Sequence, residues 1–310
     1  MSGPFDLADE AAYRCWRTAK LAGYPAEAAE LMVVIADPLV LDAAARQALA
    51  TRLGKTNMAL YRSPVSDEAT ARLVVRTLAE AFGLKGLEGN LCADADGLTP
   101  LAQDDSIGPG GGRARYIPYT NKPLNWHTDG YYNAPERRLH AMTLHCVSPA
   151  NRGGENGLLD PEIAYILLRD ESIDLVRALM HPHAMTIPAN AEGDSEIREE
   201  MTGPVFDVEA DGTLCMRYTA RKRNIIWRDD GATRDAVAFL VEMMDNAASP
   251  YIFRYTLGPG EGLICNNVLH MRTGFEDGVK AGAETETRRL ILRGRFYERI
   301  EGTAYPDIYS

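Results

Sequence analysis

Trp126-His127-Thr128-Asp129-Gly130 is the stretch on which the reading of this chain turns. In extended backbone, residues i and i+2 project from the same face. If the segment is a strand, the His127 imidazole and the Asp129 carboxylate stand side by side and can reach one metal. A third ligand must then come from elsewhere in the fold. His270 is placed for it, because Asn267-Val268-Leu269-His270 closes a run that reads as a buried strand. Two imidazoles and one carboxylate on one face of an iron leave three positions open, enough for a chelating cosubstrate and dioxygen. Neutral imidazole and carboxylate also suit Fe(II), which has to remain able to change oxidation state.

A His-x-Asp pattern alone is common, and its plain reading is a histidine hydrogen-bonded to a nearby carboxylate. The surrounding chain gives it weight. Beyond residue 100, short β-like runs follow one another at 114–119, 139–147, 155–159, 213–218, 251–257, 262–268 and 289–297, most of them separated by Pro, Gly or Asn. Helices are expected at 161–180 and 234–247. The layout predicts a mainly β protein with α, a double-stranded β-helix (jelly roll) with helices outside it. Residues 1–100 have another texture. Ala-rich runs at 9–22, 25–34 and 39–53, and a run to Phe82 with Ser66 as N-cap, read as helices. The expected organisation is a helical N-terminal region, 1–100, packed on a jelly-roll domain, 101–310. Gly108-Pro109-Gly110-Gly111-Gly112 is a breaker cluster and not a phosphate loop, since it lacks the Lys-Ser/Thr ending.

The last strand supplies the second half of the pattern. In Arg288-Arg289-Leu290-Ile291-Leu292-Arg293-Gly294-Arg295-Phe296, positions 289, 291, 293 and 295 share one face. Leu290, Leu292 and Phe296 share the other, expected to look into the apolar sandwich interior. Arg289 and Arg293 lie about 13 Å apart along a strand. Two guanidinium groups aimed into one cavity make an anion-binding pair, because the planar fork bonds carboxylates bidentately. The alternative for these arginines is a solvated, charged sheet edge.

Composition bounds the rest. Hydrophobic residues make up 45% and charged residues 25%, in the range of a soluble globular protein. The net charge of -11 argues against a general nucleic-acid binder. The five cysteines form no C-x-x-C pair and read as reduced thiols. The N-terminus shows no signal peptide, and no apolar stretch approaches the ~18 residues of a membrane span, so a cytoplasmic protein without a membrane partner is expected, with room for a homo-oligomer. His140 and His145 read as structural, and His181 and His183 as exposed.

In order along the chain, Trp126-His127-Thr128-Asp129, Gly153-Gly154-Glu155-Asn156, Asn266-Asn267-Val268-Leu269-His270 and Arg289 to Arg293 resemble the taurine-dioxygenase-like (TauD/TfdA) superfamily of Fe(II)- and 2-oxoglutarate-dependent dioxygenases. His127 to Tyr132, followed by Leu144-His145-Cys146, is similar in style to the γ-butyrobetaine hydroxylase branch. The resemblance covers roughly residues 110–298. It implies that His127, Asp129 and His270 hold iron. It also implies that Arg289, helped by Asn156, binds the distal carboxylate of 2-oxoglutarate, and that Arg293 meets an anionic substrate group. The implied reaction consumes O2, releases succinate and CO2, and hydroxylates or otherwise oxidises a small polar metabolite. Asp129 argues against a halogenase, where that carboxylate is vacated for halide. Tyr116, Tyr119, Trp126, Tyr131 and Tyr132 could offer aromatic faces to a quaternary ammonium, with Asn121, Lys122 and Asn125 as polar contacts. Tyr131, Tyr132, Asn125 and Arg293 are the expected substrate residues. The basic run 217–224 either steers an anion or is a solvated surface. The gap from His270 to Arg289 is 19 residues, longer than in the taurine enzyme. Residues 274–287 fill it as a lid or as an exposed hairpin. Two other classes compete with this reading: a jelly-roll hydrolase or isomerase using a non-redox metal, and a non-catalytic small-molecule sensor.

Overall fold

A computed structural model describes residues 3–103, 112–192, 195–221, 225–279 and 286–305. The strands that carry the site are, in chain order, β1 (Met32–Val34), β2 (Met58–Arg62), β3 (Thr99–Leu101), β4 (Leu124–His127), β5 (Ala141–Ser148), β6 (Asn156–Leu159), β7 (Phe253–Tyr255), β8 (Glu261–Cys265), β9 (Leu269–Arg272) and β10 (Leu290–Phe296). Six of them pair in the order β1-β2-β8-β5-β10-β3, and four in the order β7-β6-β9-β4. Only β1 and β2 run parallel within these sheets.

The two sheets share one apolar core. Met58, Leu60, Met142, Leu144, Leu263 and Ile291 of the larger sheet cluster with Leu158 and Phe253 of the smaller. Helices cover both outer faces. Across the back of the larger sheet lie α2 (Ala43–Thr56) and α3 (Glu68–Ala81), while α1 (Glu10–Leu21) packs on the other side, its Tyr13 and Trp16 clustering with Tyr165 and Ile166. Leu49 and Leu53 of α2 and Val74 and Leu78 of α3 pack against Tyr61, Ile264 and Phe296. On the smaller sheet lie α4 (Pro161–Glu171), α5 (Ile173–Leu179) and α6 (Gly231–Asp245), which bury Leu159, Leu269 and Trp126. A buried ion cluster ties the N-terminal helix to this side. Lys20 of α1 is 2.7 Å from Asp160 and 2.5 Å from Glu162 at the start of α4.

Several expectations are corrected. The first 100 residues are not purely helical, since β1, β2 and β3 belong to the larger sheet and the 100/101 boundary falls inside β3. Residues 25–34 contain a short 3-10 turn, Ala28–Leu31, and then β1, where β-branched Val33 and Val34 favour extension. The N-cap of α3 is Asp67, whose carboxylate accepts the Thr70 N–H at 2.9 Å, and not Ser66. Residues 114–119 form 3-10 turns rather than a strand, with Pro118 unable to donate to a ladder. Ser172 splits 161–180 into α4 and α5 by capping the second helix.

Two corrections move the site. The run 262–268 is not one strand with His270 at its end. β8 lies in the larger sheet and β9 in the smaller, so the chain crosses between sheets at Asn266-Asn267-Val268. Leu292 and Phe296 of β10 do not face the sandwich interior. They pack under α2 and α3 with Val75, Leu78 and Phe82, and the arginine face looks inward instead. No helix among the described residues is long and apolar enough to cross a membrane. None of the five cysteines, all of them among the described residues, forms a disulfide.

Candidate active site

β4 and β9 are antiparallel neighbours, and their register sets His127 directly opposite His270. Asp129 follows two residues past His127, on a turn made possible by Gly130. That glycine has φ +65, and a Cβ on it would lie 2.7 Å from Leu139. The two imidazole rings have centroids 4.2 Å apart. His127 Nε2 is 3.6 Å from Asp129 Oδ1. One ligand atom from each of the three residues lies within 4.8 Å of the others, and all three side chains are buried.

The backbone sets the chemistry of both rings. His127 Nδ1–H donates to the Asn125 carbonyl at 2.8 Å, and His270 Nδ1–H to the Val268 carbonyl at 2.9 Å. A carbonyl only accepts, so each Nδ1 carries the proton and each Nε2 turns a lone pair into the cavity. Burial, with the neighbouring His127 adding to it, pulls the His270 pKa down to about 4 and keeps that ring neutral. Burial works against an ionised Asp129, but the charge of Arg293, with His127 and Arg295, holds its carboxyl well below the usual range. Two imidazole nitrogens and one carboxylate, aimed in this way, fit a divalent iron with open positions.

The Asp129 turn is clamped by a residue that the sequence did not single out. Asn267 Oδ1 accepts the Asp129 N–H at 2.7 Å, and its Nδ2 donates to the Asp129 carbonyl at 2.9 Å and to the Leu139 carbonyl at 2.7 Å. Asn267 has φ 46, a left-handed conformation that Asn tolerates better than most residues. Segment 218–220 holds the other side. The Thr128 N–H donates to the Tyr218 carbonyl at 3.0 Å, and the Ala220 N–H to the Trp126 carbonyl at 2.8 Å.

β10 lines the cavity with cations. Arg293 Nη1 lies 3.3 Å from Asp129 Oδ2. Arg295 Nη1 is 4.0 Å from Asp129 Oδ1 and 3.4 Å from the Tyr132 hydroxyl, while its Nη2 pairs with Glu88. Nε of both arginines has no hydrogen-bond partner among the described residues. Arg289 is 4% exposed, donates from Nη1 to the Leu101 carbonyl at 3.2 Å, and stands over the Phe275 ring at 5.1 Å. No carboxylate among the described residues forms an ion pair with it, and burial lowers its pKa to about 10. The Asp277 carboxylate accepts the Arg289 backbone N–H at 2.8 Å, and a guanidinium buried without an ion pair is a candidate partner for an anion, because desolvation is costly until a counter-charge arrives.

The remaining expected residues are placed as follows. Asn156 is half-buried on β6 opposite Arg272, and its Nδ2 donates to the Tyr255 carbonyl at 3.2 Å. Asn125 is exposed near the start of β4. Tyr131 and Tyr132 meet edge-to-face at 5.1 Å. The aromatic cluster does not assemble into a cage. Trp126 joins the helix-side core and Tyr119 the inter-sheet core. Arg217 is held by the backbone carbonyls of Gly203 at 2.8 Å and Tyr131 at 3.2 Å, and 222–224 lie outside the described residues. Of the 274–287 segment, Phe275–Glu276 pairs with Arg152–Gly153 and Gly278–Val279 with Glu286–Thr287, and 280–285 lie outside the described residues. Arg272 and Glu88 were missed, and Arg295 and Asn267 were named in their strand and motif without a role. Arg272 ties down the segment before β4 by donating to the carbonyls of Thr120 at 2.8 Å and Lys122 at 2.6 Å. Strand parity counted from His270 would have found Arg272. Nothing local marks Glu88.

Comparison with known proteins supplies the class first. Solved structures of like fold include asparagine oxygenase in complex with Fe(II), 2S,3S-3-hydroxyasparagine and succinate. It superposes with a TM-score of 0.56 at 15% identity, covering 82% of this chain and 79% of that one. Non-heme iron oxygenase OrfP in complex with Fe, succinate and (3S)-hydroxy-L-Arg gives 0.56 at 16% identity, covering 98% and 91%. The family model for taurine catabolism dioxygenase TauD, TfdA family, matches residues 18–294, and the chain belongs to that family. Its members are Fe(II)- and 2-oxoglutarate-dependent dioxygenases that use O2. Two uridine-5'-phosphate dioxygenases are relatives in sequence. The one from Amycolatopsis sp is 30% identical over 56% of this chain, which spans only 60% of that enzyme's length. The one from Streptomyces sp is 31% identical over 76% of this chain and 83% of its own. Membership of a dioxygenase family decides against the non-redox hydrolase or isomerase and against the sensor.

Proposed function

We propose that this protein is an Fe(II)- and 2-oxoglutarate-dependent oxygenase that oxidises a small phosphate-bearing metabolite, a nucleoside 5'-monophosphate above all. His127, Asp129 and His270 would hold the iron, Arg289 with Asn156 the distal carboxylate of 2-oxoglutarate. The two facing sheets serve as its jelly-roll core, and the cytoplasm is its working compartment. When bound, iron and 2-oxoglutarate supply the oxidising power, with release of succinate and CO2 and transfer of oxygen from O2 to the substrate.

The chain's own residues orient and exclude. The Nδ1 anchors fix the orientation of both imidazoles and aim Nε2 of each at the metal position. The closed inter-sheet core keeps bulk water from the oxidising centre. Arg293 and Arg295 balance Asp129 from the substrate side.

One observation carries the substrate reading. Arg295 joins Asp129 to the Tyr132 hydroxyl, and the Arg198 guanidinium lies 5.5 Å over the Tyr132 ring. A path of cations and aromatic faces thus leads outward from the metal ligands, with Arg221 close enough to lower the pKa of Tyr131, though burial wins and leaves it raised. Phosphate suits the guanidinium groups, and a base or sugar suits the tyrosine faces. The two uridine-5'-phosphate dioxygenases support a nucleotide over a trimethylammonium substrate. The test is succinate release across a panel. Uridine 5'-phosphate and related monophosphates should stimulate it, with uridine and γ-butyrobetaine far behind. Turnover of γ-butyrobetaine alone would reverse the assignment.

A further inference from the structure

A second set of metal-binding side chains stands behind the Asp129 turn. We propose that His140, Glu209 and Cys215 form a zinc site, separate from His127, Asp129 and His270.

Strand register makes the set. Phe206–Val208 pairs with Leu214–Met216, with Asp207 opposite Cys215 and Val208 opposite Leu214. Glu209 lies two residues past Asp207, so Asp207, Glu209 and Cys215 share one face of this hairpin. The hairpin is closed by the Glu209 N–H donating to the Thr213 carbonyl at 2.9 Å. His140, just before β5, reaches that face from the larger sheet. Its Nδ1–H donates to the Tyr297 carbonyl at 2.6 Å, and its Nε2 is 2.7 Å from Glu209 Oε1. One ligand atom from each of His140, Glu209 and Cys215 lies within 4.8 Å of the others. Around a tetrahedral zinc, ligand atoms stand roughly 3.4 Å apart, so small side-chain shifts complete the set.

The chemistry is that of zinc. Imidazole, carboxylate and thiolate are its protein ligands, and a ring whose far nitrogen is held by a carbonyl is the usual supporting arrangement. Arg138 is shared between Asp207 at 2.6 Å and Glu209 at 3.1 Å, so its single charge does not cancel the two acids. The surroundings prefer a cation. A proton now bridges His140 Nε2 and Glu209 Oε1, 2.7 Å apart. A divalent ion would take the place of that imidazole proton and of the thiol proton, releasing both to solvent. His140 and Cys215 also line a narrow cleft with room for about one water molecule, which could serve as the fourth ligand. The Leu139 carbonyl next door accepts from Asn267, so zinc here would brace the clamp on Asp129.

Cobalt(II) is the probe, titrated into the metal-free full chain. The wild type should bind two equivalents and develop a near-ultraviolet thiolate-to-cobalt band. His127→Ala should keep that band with one equivalent. Cys215→Ser and His140→Gln should each lose the band and one equivalent, with circular dichroism showing that at least one of the two folds. A single equivalent in the wild type, or a thiolate band that survives in the folded variant, would overturn the proposal.

Discussion

His127 and Asp129 gain their meaning from a two-residue spacing, and the structure brings them together with His127 as the last residue of β4 and Asp129 on the turn that follows. Strand parity likewise made Arg289 and Arg293 legible, since side chains alternate faces whatever the tertiary context. Asn267 was not legible, because its function lies in side-chain bonds to residues more than a hundred positions away. Three outcomes are expected at this scale. His127→Ala and Asp129→Ala should each abolish substrate-dependent succinate formation in a folded protein; near-normal turnover of Asp129→Ala would remove it from the ligand set. Asn267→Ala should weaken iron binding by about 10- to 100-fold. Asn267→Gly relieves the left-handed backbone but lacks the amide, so it should be equally weak; iron binding restored by Gly would leave only backbone strain as the cause. Arg289→Ala should raise the KM for 2-oxoglutarate by about 30-fold or more, with kcat less affected. An equal rise in Arg293→Ala instead would exchange their roles.

At the scale of elements, β10 shows what pattern reading can and cannot decide. Its alternation was evident, and so was the fact that the arginines share a face. Which face is inward was not, because apolar residues usually mark the interior and here they mark the underside of α3. The arginine face is buried as well, its charges met by Asp129 and Glu88. The division of 262–268 into β8 and β9 was hidden for a related reason. Both halves are buried, so the turn between the sheets carries no polar punctuation beyond Asn266 and Asn267. Leu292→Ala should cost about 2–5 kcal/mol by chemical denaturation. It should leave the KM for 2-oxoglutarate unchanged, and a large rise in that KM would return Leu292 to the cavity.

For the whole molecule, the β-rich half was legible from punctuated short runs, whereas the N-terminal hundred residues were only half read. β1 and β3 are three residues each, too short to interrupt a helical texture, and their partners lie in distant β2 and β10. Lys20, Asp160 and Glu162 join this N-terminal part to the helices over the smaller sheet, all at 5% exposure or less. Lys20→Met leaves two buried acids without their cation and should destabilise the fold by about 3–5 kcal/mol. A loss below 1 kcal/mol would show that the cluster contributes little to holding the two parts together.

The central claim is that the three ligands hold iron in a site that also chelates 2-oxoglutarate. Anaerobic addition of Fe(II) and 2-oxoglutarate to the metal-free chain tests it most directly, by the weak visible charge-transfer band of the chelated pair. The band is expected in the wild type and should be lost in His127→Ala, Asp129→Ala and His270→Ala. Its absence from the folded wild type, or its persistence in Asp129→Ala, would show that these residues do not hold the iron.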